Sequence, residues 1–307
     1  MHRFSCNFGF MKRVIVFSLL GILACAITNA QDKKQKFIIT GQLGYFQEDF
    51  RWSIAGTSQG TDPNIYSELR WQKLSGPQAK VNFQYNFWKD FLFKIDFSRS
   101  FITSGTVTDT DFGDDNRKDT LYHDSFKSNE GYINSLSFAL GYKIKLLKIC
   151  TASIYAGYSD DRQSLYILGD PGLFTSDLRS TYATKWNGFV IGSDLKIPIQ
   201  KKIIIEPQIV YHQVNYSANA DWNLIAQFKH PVSFAHLAKG FGIEPALNFH
   251  YTLTKIISLT ASGKYSYWST GKGIDTLYLA DDSISTTQLN GAIRNNWSIV
   301  LGTSLSF

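Results

Sequence analysis

The chain has 307 residues, with 31 Lys and Arg against 25 Asp and Glu. Its formal charge of +6 falls to +3 once Arg3, Lys12 and Arg13 leave with residues 1–30, which argues against a nucleic-acid partner. Aromatics make up 15% of the residues, Met numbers only 2 and mean hydropathy is −0.15, a profile that suits aromatic girdles at a membrane surface better than a water-soluble core.

Met11-Lys12-Arg13, the apolar stretch Val14 to Ile27 and the small-residue ending Thr28-Asn29-Ala30 read as a secretory signal peptide over 1–30, with Met11 as a possible start. About 14 apolar residues are too few to span a bilayer as a helix. Cys25 closes a loose lipoprotein box, the weaker reading of this segment. Cys6 and Cys25 fall in the leader, so Cys150 alone enters residues 31–307 and no intramolecular disulfide is expected.

The remainder alternates with a period of two in ten segments, near 36–49, 65–86, 90–105, 131–146, 148–168, 180–198, 201–217, 235–252, 255–269 and 292–307. Leu136, Phe138, Leu140, Tyr142 and Ile144 share one face, opposed by Ser135, Ser137, Gly141, Lys143 and Lys145. Phe241, Ile243, Leu247 and Phe249 likewise oppose Glu244, Asn248 and His250, charges that are tolerable in a wet lumen and costly against lipid. Connections alternate between short ones at Trp88-Lys89, Leu147, Gln200 and Thr254 and long polar ones over 50–64, 106–130, 169–179, 218–234 and 270–291. The chain ends on the alternating run Trp297 to Phe307. These features predict one all-β domain over 31–307, a transmembrane antiparallel barrel of about ten strands in the cell outer membrane. Short turns face the periplasm and long loops the exterior, and the closing strand that ends at Phe307 is presented to the barrel assembly machinery. Ten strands leave a lumen filled mostly by side chains, so a general porin is disfavoured.

Two acidic clusters stand in the long loops: Asp109-Thr110-Asp111-Phe112 in the second and Asp221-Trp222-Asn223 in the fourth. With Ser67-Glu68-Leu69-Arg70-Trp71 and Ala156 to Ser164, they resemble the omptins, ten-stranded outer-membrane proteases that cleave beside basic residues. In that family an Asp pair holds a water and an Asp-x-His dyad activates it. The resemblance therefore implies catalytic positions at Asp109, Asp111, Asp221 and Asn223, but the histidine is replaced by Asn223, whose amide accepts no proton at neutral pH. General-base catalysis supplies ~10²- to 10⁴-fold of rate, so its loss implies an inactive or vestigial site. His230 and His236 lie further along and would substitute only if the loop folded back. His212 and His250 point to the lumen, and His123 is a solvated loop residue. The resemblance also implies lipid A contacts at Tyr158, Asp160, Arg162 and Lys185, with lipopolysaccharide as a possible bound lipid, although Lys185 replaces an arginine and loses its bidentate fork. Asp109 to Asn116 lacks calcium-loop spacing, and no other metal or cofactor motif is present.

The sequence thus predicts a monomeric, omptin-like surface protein without protease activity, structural, adhesive or binding in role, with an unnamed extracellular ligand. The alternatives are an endopeptidase whose base is unidentified and a narrow channel.

Overall fold

The computed structural model describes residues 36–146, 150–169 and 177–307. The leader, the turn at Leu147 and most of the connection over 169–179 lie outside the described residues.

Among the described residues thirteen strands form one antiparallel sheet that closes on itself. They are β1 (Phe37–Ile54), β2 (Ser67–Asn86), β3 (Phe91–Phe101), β4 (Ser104–Asp114), β5 (Lys118–Lys127), β6 (Gly131–Leu146) and β7 (Cys150–Leu168), followed by β8 (Arg179–Gln200), β9 (Ile203–Asp221), β10 (Phe234–Thr252), β11 (Ile257–Thr270), β12 (Gly273–Tyr278) and β13 (Ile284–Ser306). Three staves are interrupted, so that β3 continues as β4, β5 as β6 and β11 as β12, and the barrel counts ten staves. β1 pairs with β2 on one side and with β13 on the other, from Ile38 opposite Ser306 to Ile54 opposite Leu289. Main-chain bonds between Phe37 and Phe307 lock the periplasmic end of this seam, so no edge strand is left open there.

Burial follows the alternation. On β13, Ser298, Val300 and Ser304 are buried, while Ile299 and Leu301 are 58% and 62% exposed. Leu136, Phe138 and Leu140 on β6 are likewise exposed, forming the apolar outer band that a bilayer covers. The expected boundaries need one correction. Much of 50–54, 106–127, 218–221 and 273–291 is strand, because the staves extend beyond the membrane. Water replaces lipid on the outer face there, and β5 is exposed at nearly every position, so the apolar alternation fades although strand pairing continues.

The lumen is filled by charged layers. Arg294 Nε lies 3.1 Å from Glu48 Oε2, with both groups buried, and Asn296 donates to the same carboxylate. Deeper, Lys264 bonds Glu244 at 3.2 Å, and His212 contacts Ser159 Oγ at 2.9 Å and Glu244 at 3.6 Å. Lys94 meets Asp194 at 3.1 Å, and His250 lies 3.4 Å from Glu206. Such pairs contribute little net stability, but breaking one strands a buried charge.

Candidate functional site

Above these layers an aromatic floor closes the barrel. Trp52 stacks on Tyr182 at 5.7 Å, Trp71 lies 5.3 Å from the same ring, and Phe234 packs edge-on to Trp52. On this floor stands an extracellular cleft of about 810 Å³. Its walls come from β1, the 55–66 connection, β2, the β4–β5 hairpin, β7, β8, the segment 222–234, β12 and β13.

Among the described residues five carboxylates line the cleft: Asp62, Asp109, Asp111, Asp124 and Asp275. Between them lie apolar and aromatic side chains, among them Trp52, Tyr66, Tyr122, Trp222 and Phe234. The hairpin aligns the acids. Asp109 is in register with Leu69 on β2 and with Asp124 on β5, and Asp111 with Ser67 and Tyr122. Burial, the neighbouring Asp111 carboxylate and then Asp124 push the Asp109 carboxyl up to about 7 against one backbone bond from Thr110. Burial also raises Asp111, opposed by its bond to Ser67. Asp109 Oδ1 and the Trp52 indole N–H are buried without a partner, leaving an acceptor and a donor for a ligand to satisfy.

The fourth-loop residues divide between two faces. Ala218 and Ala220 are buried in the core and Trp222 packs against it, lining the cleft. Asp221 stands between them and takes the other side of the strand. It is opposite Thr181 on β8, and there the loop folds back so that His230 Nδ1 lies 2.5 Å from Asp221 Oδ1. Neither residue lines the cleft. Asn223 is also withdrawn: its Oδ1 accepts from the Arg179 N–H at 2.9 Å and the Ser180 hydroxyl at 3.2 Å, and its Nδ2 donates to the Asp177 carbonyl at 2.8 Å. His236 is fully buried beneath the floor, with Nδ1 2.7 Å from Tyr182 Oη and Nε2 3.1 Å from Asp275 Oδ1, so its ring does not open on the cleft. Among the described residues no imidazole lines the cleft, so Asp109 and Asp111 come together and Asp221 and Asn223 do not join them.

On the outer wall, Asp160 receives Arg162 at 2.6 and 3.2 Å, and Lys185 approaches it at 3.4 Å. Tyr158 bonds the Asn187 amide beside this cluster and stacks on Phe138 at 6.0 Å. All four expected residues thus share one outward patch. Sequence reasoning missed Asp62, Asp124 and Asp275. Asp124 becomes visible once 106–127 is folded as a hairpin, whereas Asp275 needs the β10–β12 pairing that sets it opposite His236.

The model of the family described as Pom, Protochlamydia outer membrane protein, matches residues 40–307. The chain belongs to this family. It is an outer-membrane β-barrel protein. The outer membrane protease OmpT from Escherichia coli superposes with a TM-score of 0.72 at 15% identity, covering 91% of this chain and 99% of that one. At that identity the likeness concerns the fold. The translocator domain of the autotransporter NalP from Neisseria meningitidis matches with a TM-score of 0.39 at 10% identity, over 96% of this chain and 98% of that one. No curated protein matches the sequence.

Proposed function

We propose that this Pom-family barrel is a surface binding protein whose extracellular cleft takes a cationic, partly apolar ligand, such as an Arg- or Lys-bearing peptide segment, without hydrolysing it. The carrying observation is the set of five carboxylates interleaved with aromatic rings in one cleft that, among the described residues, no imidazole lines. A guanidinium or ammonium group between Asp109 and Asp111 would offset the repulsion of the pair, and the ring faces add cation–π attraction. The test is isothermal titration of an Arg-rich decapeptide against the protein refolded with lipopolysaccharide, alongside mass spectrometry of the peptide. Binding of intact peptide supports the reading, and cleavage or absence of binding refutes it.

The outward cluster of Tyr158, Asp160, Arg162 and Lys185 fits lipid A in the same reading, because it stands just above the apolar band and exposes two cations around one carboxylate. The endopeptidase reading keeps one favourable observation, the Asp221–His230 pair, whose Nδ1 contact would leave Nε2 as a base. It requires peptide cleavage that His230→Ala abolishes.

A further inference from the structure

On the far side of the 55–66 connection from the acidic cleft, the rim holds a second recess of opposite charge, about 540 Å³ in volume and lined by Arg51, Arg117 and Lys272. Glu68 is its one lining carboxylate and is already saturated. Arg117 donates to both its oxygens, at 3.2 and 2.7 Å, and Arg70 bonds Oε1 at 2.7 Å through Nε. Burial alone would raise the Glu68 carboxyl, yet these two guanidinium groups outweigh it and hold it below the usual range. Arg51 and Lys272 have no carboxylate partner among the described residues. Arg51 also sits directly opposite Arg70 in the β1–β2 register, a like-charge pairing that disfavours the sheet. Three cations therefore line the recess against one carboxylate that Arg70 and Arg117 already hold, with Asp115 beside it on the Asn64 N–H, and Arg51 and Lys272 are left without an ion-pair partner among the described residues.

The recess also offers neutral hydrogen-bonding groups. Asn64, Gln288 and Asn290 line it, tied together by Asn290 Nδ2 to the Asn64 carbonyl at 2.9 Å and Gln288 Nε2 to Asn290 Oδ1 at 2.8 Å. Its height selects among anions. Arg51 follows the outermost girdle residue of β1, Tyr45, by six positions. That is about 20 Å along the strand, or roughly 15 Å above the apolar band at barrel tilt. Acyl-proximal head groups end below this level, whereas the saccharide of a glycolipid rises to it. Asp160 and Arg162 follow Tyr158 by two and four positions and stand at head-group level.

We propose that this recess binds an anionic saccharide, its sulfate or phosphate ester held by Arg51, Arg117 and Lys272 and its hydroxyls by the Asn64, Gln288 and Asn290 amides. The ester could come from a soluble sulfated glycan or from the phosphorylated core of the cell's own glycolipid. Isothermal titration of the full barrel in detergent separates these sources with three probes: a heparin tetrasaccharide, its desulfated form, and phosphorylated core oligosaccharide released from lipopolysaccharide. Arg51→Gln and Lys272→Gln test the site, since both side chains are exposed and their loss leaves the Glu68 cluster intact. Binding of the sulfated or phosphorylated probe, weakened at least tenfold in each variant and absent for the desulfated tetrasaccharide, is the expected result. The tighter of the two charged probes identifies the source. Binding of neither, equal binding of the desulfated form, or affinity unchanged in both variants overturns the proposal. Heat-modifiable gel mobility identical to wild type verifies that the variants are folded.

Discussion

Replacing Asp109 with Asn should flatten the pH dependence of cation binding in the cleft. The Asp109 carboxyl is raised from an ordinary 3.8 to about 7 by burial beside Asp111 and Asp124. At about 1.4 kcal/mol per unit, ionising it in the empty cleft costs roughly 4 kcal/mol, an upper bound once relaxation is counted. A ligand that needs the carboxylate meets an ionised fraction of about one tenth at pH 6 and nine tenths at pH 8, so its apparent affinity should rise about tenfold across that window. The linkage has an opposite sign for stability. A carboxyl that is protonated more readily when folded favours the fold at low pH, and this contribution is lost as pH rises from 3.8 through about 7. Asp109→Asn removes both effects: peptide affinity becomes level from pH 6 to 8, and the β4–β5 hairpin amides become better protected from hydrogen exchange at pH 8. Calorimetric titrations at pH 6, 7 and 8, with exchange measured at pH 8, read both quantities. Wild-type affinity that is constant over this range, or falls as pH rises, would refute the reasoning.

Asn223→His should not confer cleavage of a paired-Arg peptide, because position 223 faces the start of β8 rather than Asp109 and Asp111. A fluorogenic peptide assay measures this, and activity appearing in the variant would contradict the placement. Arg294→Met should destabilise the barrel by about 3–5 kcal/mol by stranding the buried Glu48 charge, seen as a lower temperature for the gel shift from folded to unfolded band. The double variant Arg294→Met with Glu48→Leu should recover much of that loss. In planar bilayers the wild type should give no discrete conductance steps, since the Arg294, Lys264 and Lys94 layers occupy the lumen.

The membrane half of the fold was legible because lipid on one side and a packed lumen on the other force strict alternation, and segments such as Leu136 to Ile144 carry it without interruption. The rim was less legible. Where water wets both faces, as along β5, nothing obliges a polar residue to choose a side, and strand looks like loop. The site shows the same division. Asp109 and Asp111 are two residues apart on one strand and share a face by geometry alone, so their pairing could be read. Asp221 lies next to Trp222, and which of the two turns inward depends on the register of β9 against β8 and on what the floor can bury. The apolar ring won the interior place and the carboxylate was left to His230. The fold-back of residues 222–230, which makes that pair, has no local signature.

The stacked ion pairs and the aromatic floor also determine where information can travel. Trp52, Tyr182 and the Glu48–Arg294 layer pack across the lumen beneath the cleft, so a ligand seated there would have no open path down the axis to the periplasm. Any effect of a ligand seated at this rim would instead run sideways, through the barrel wall.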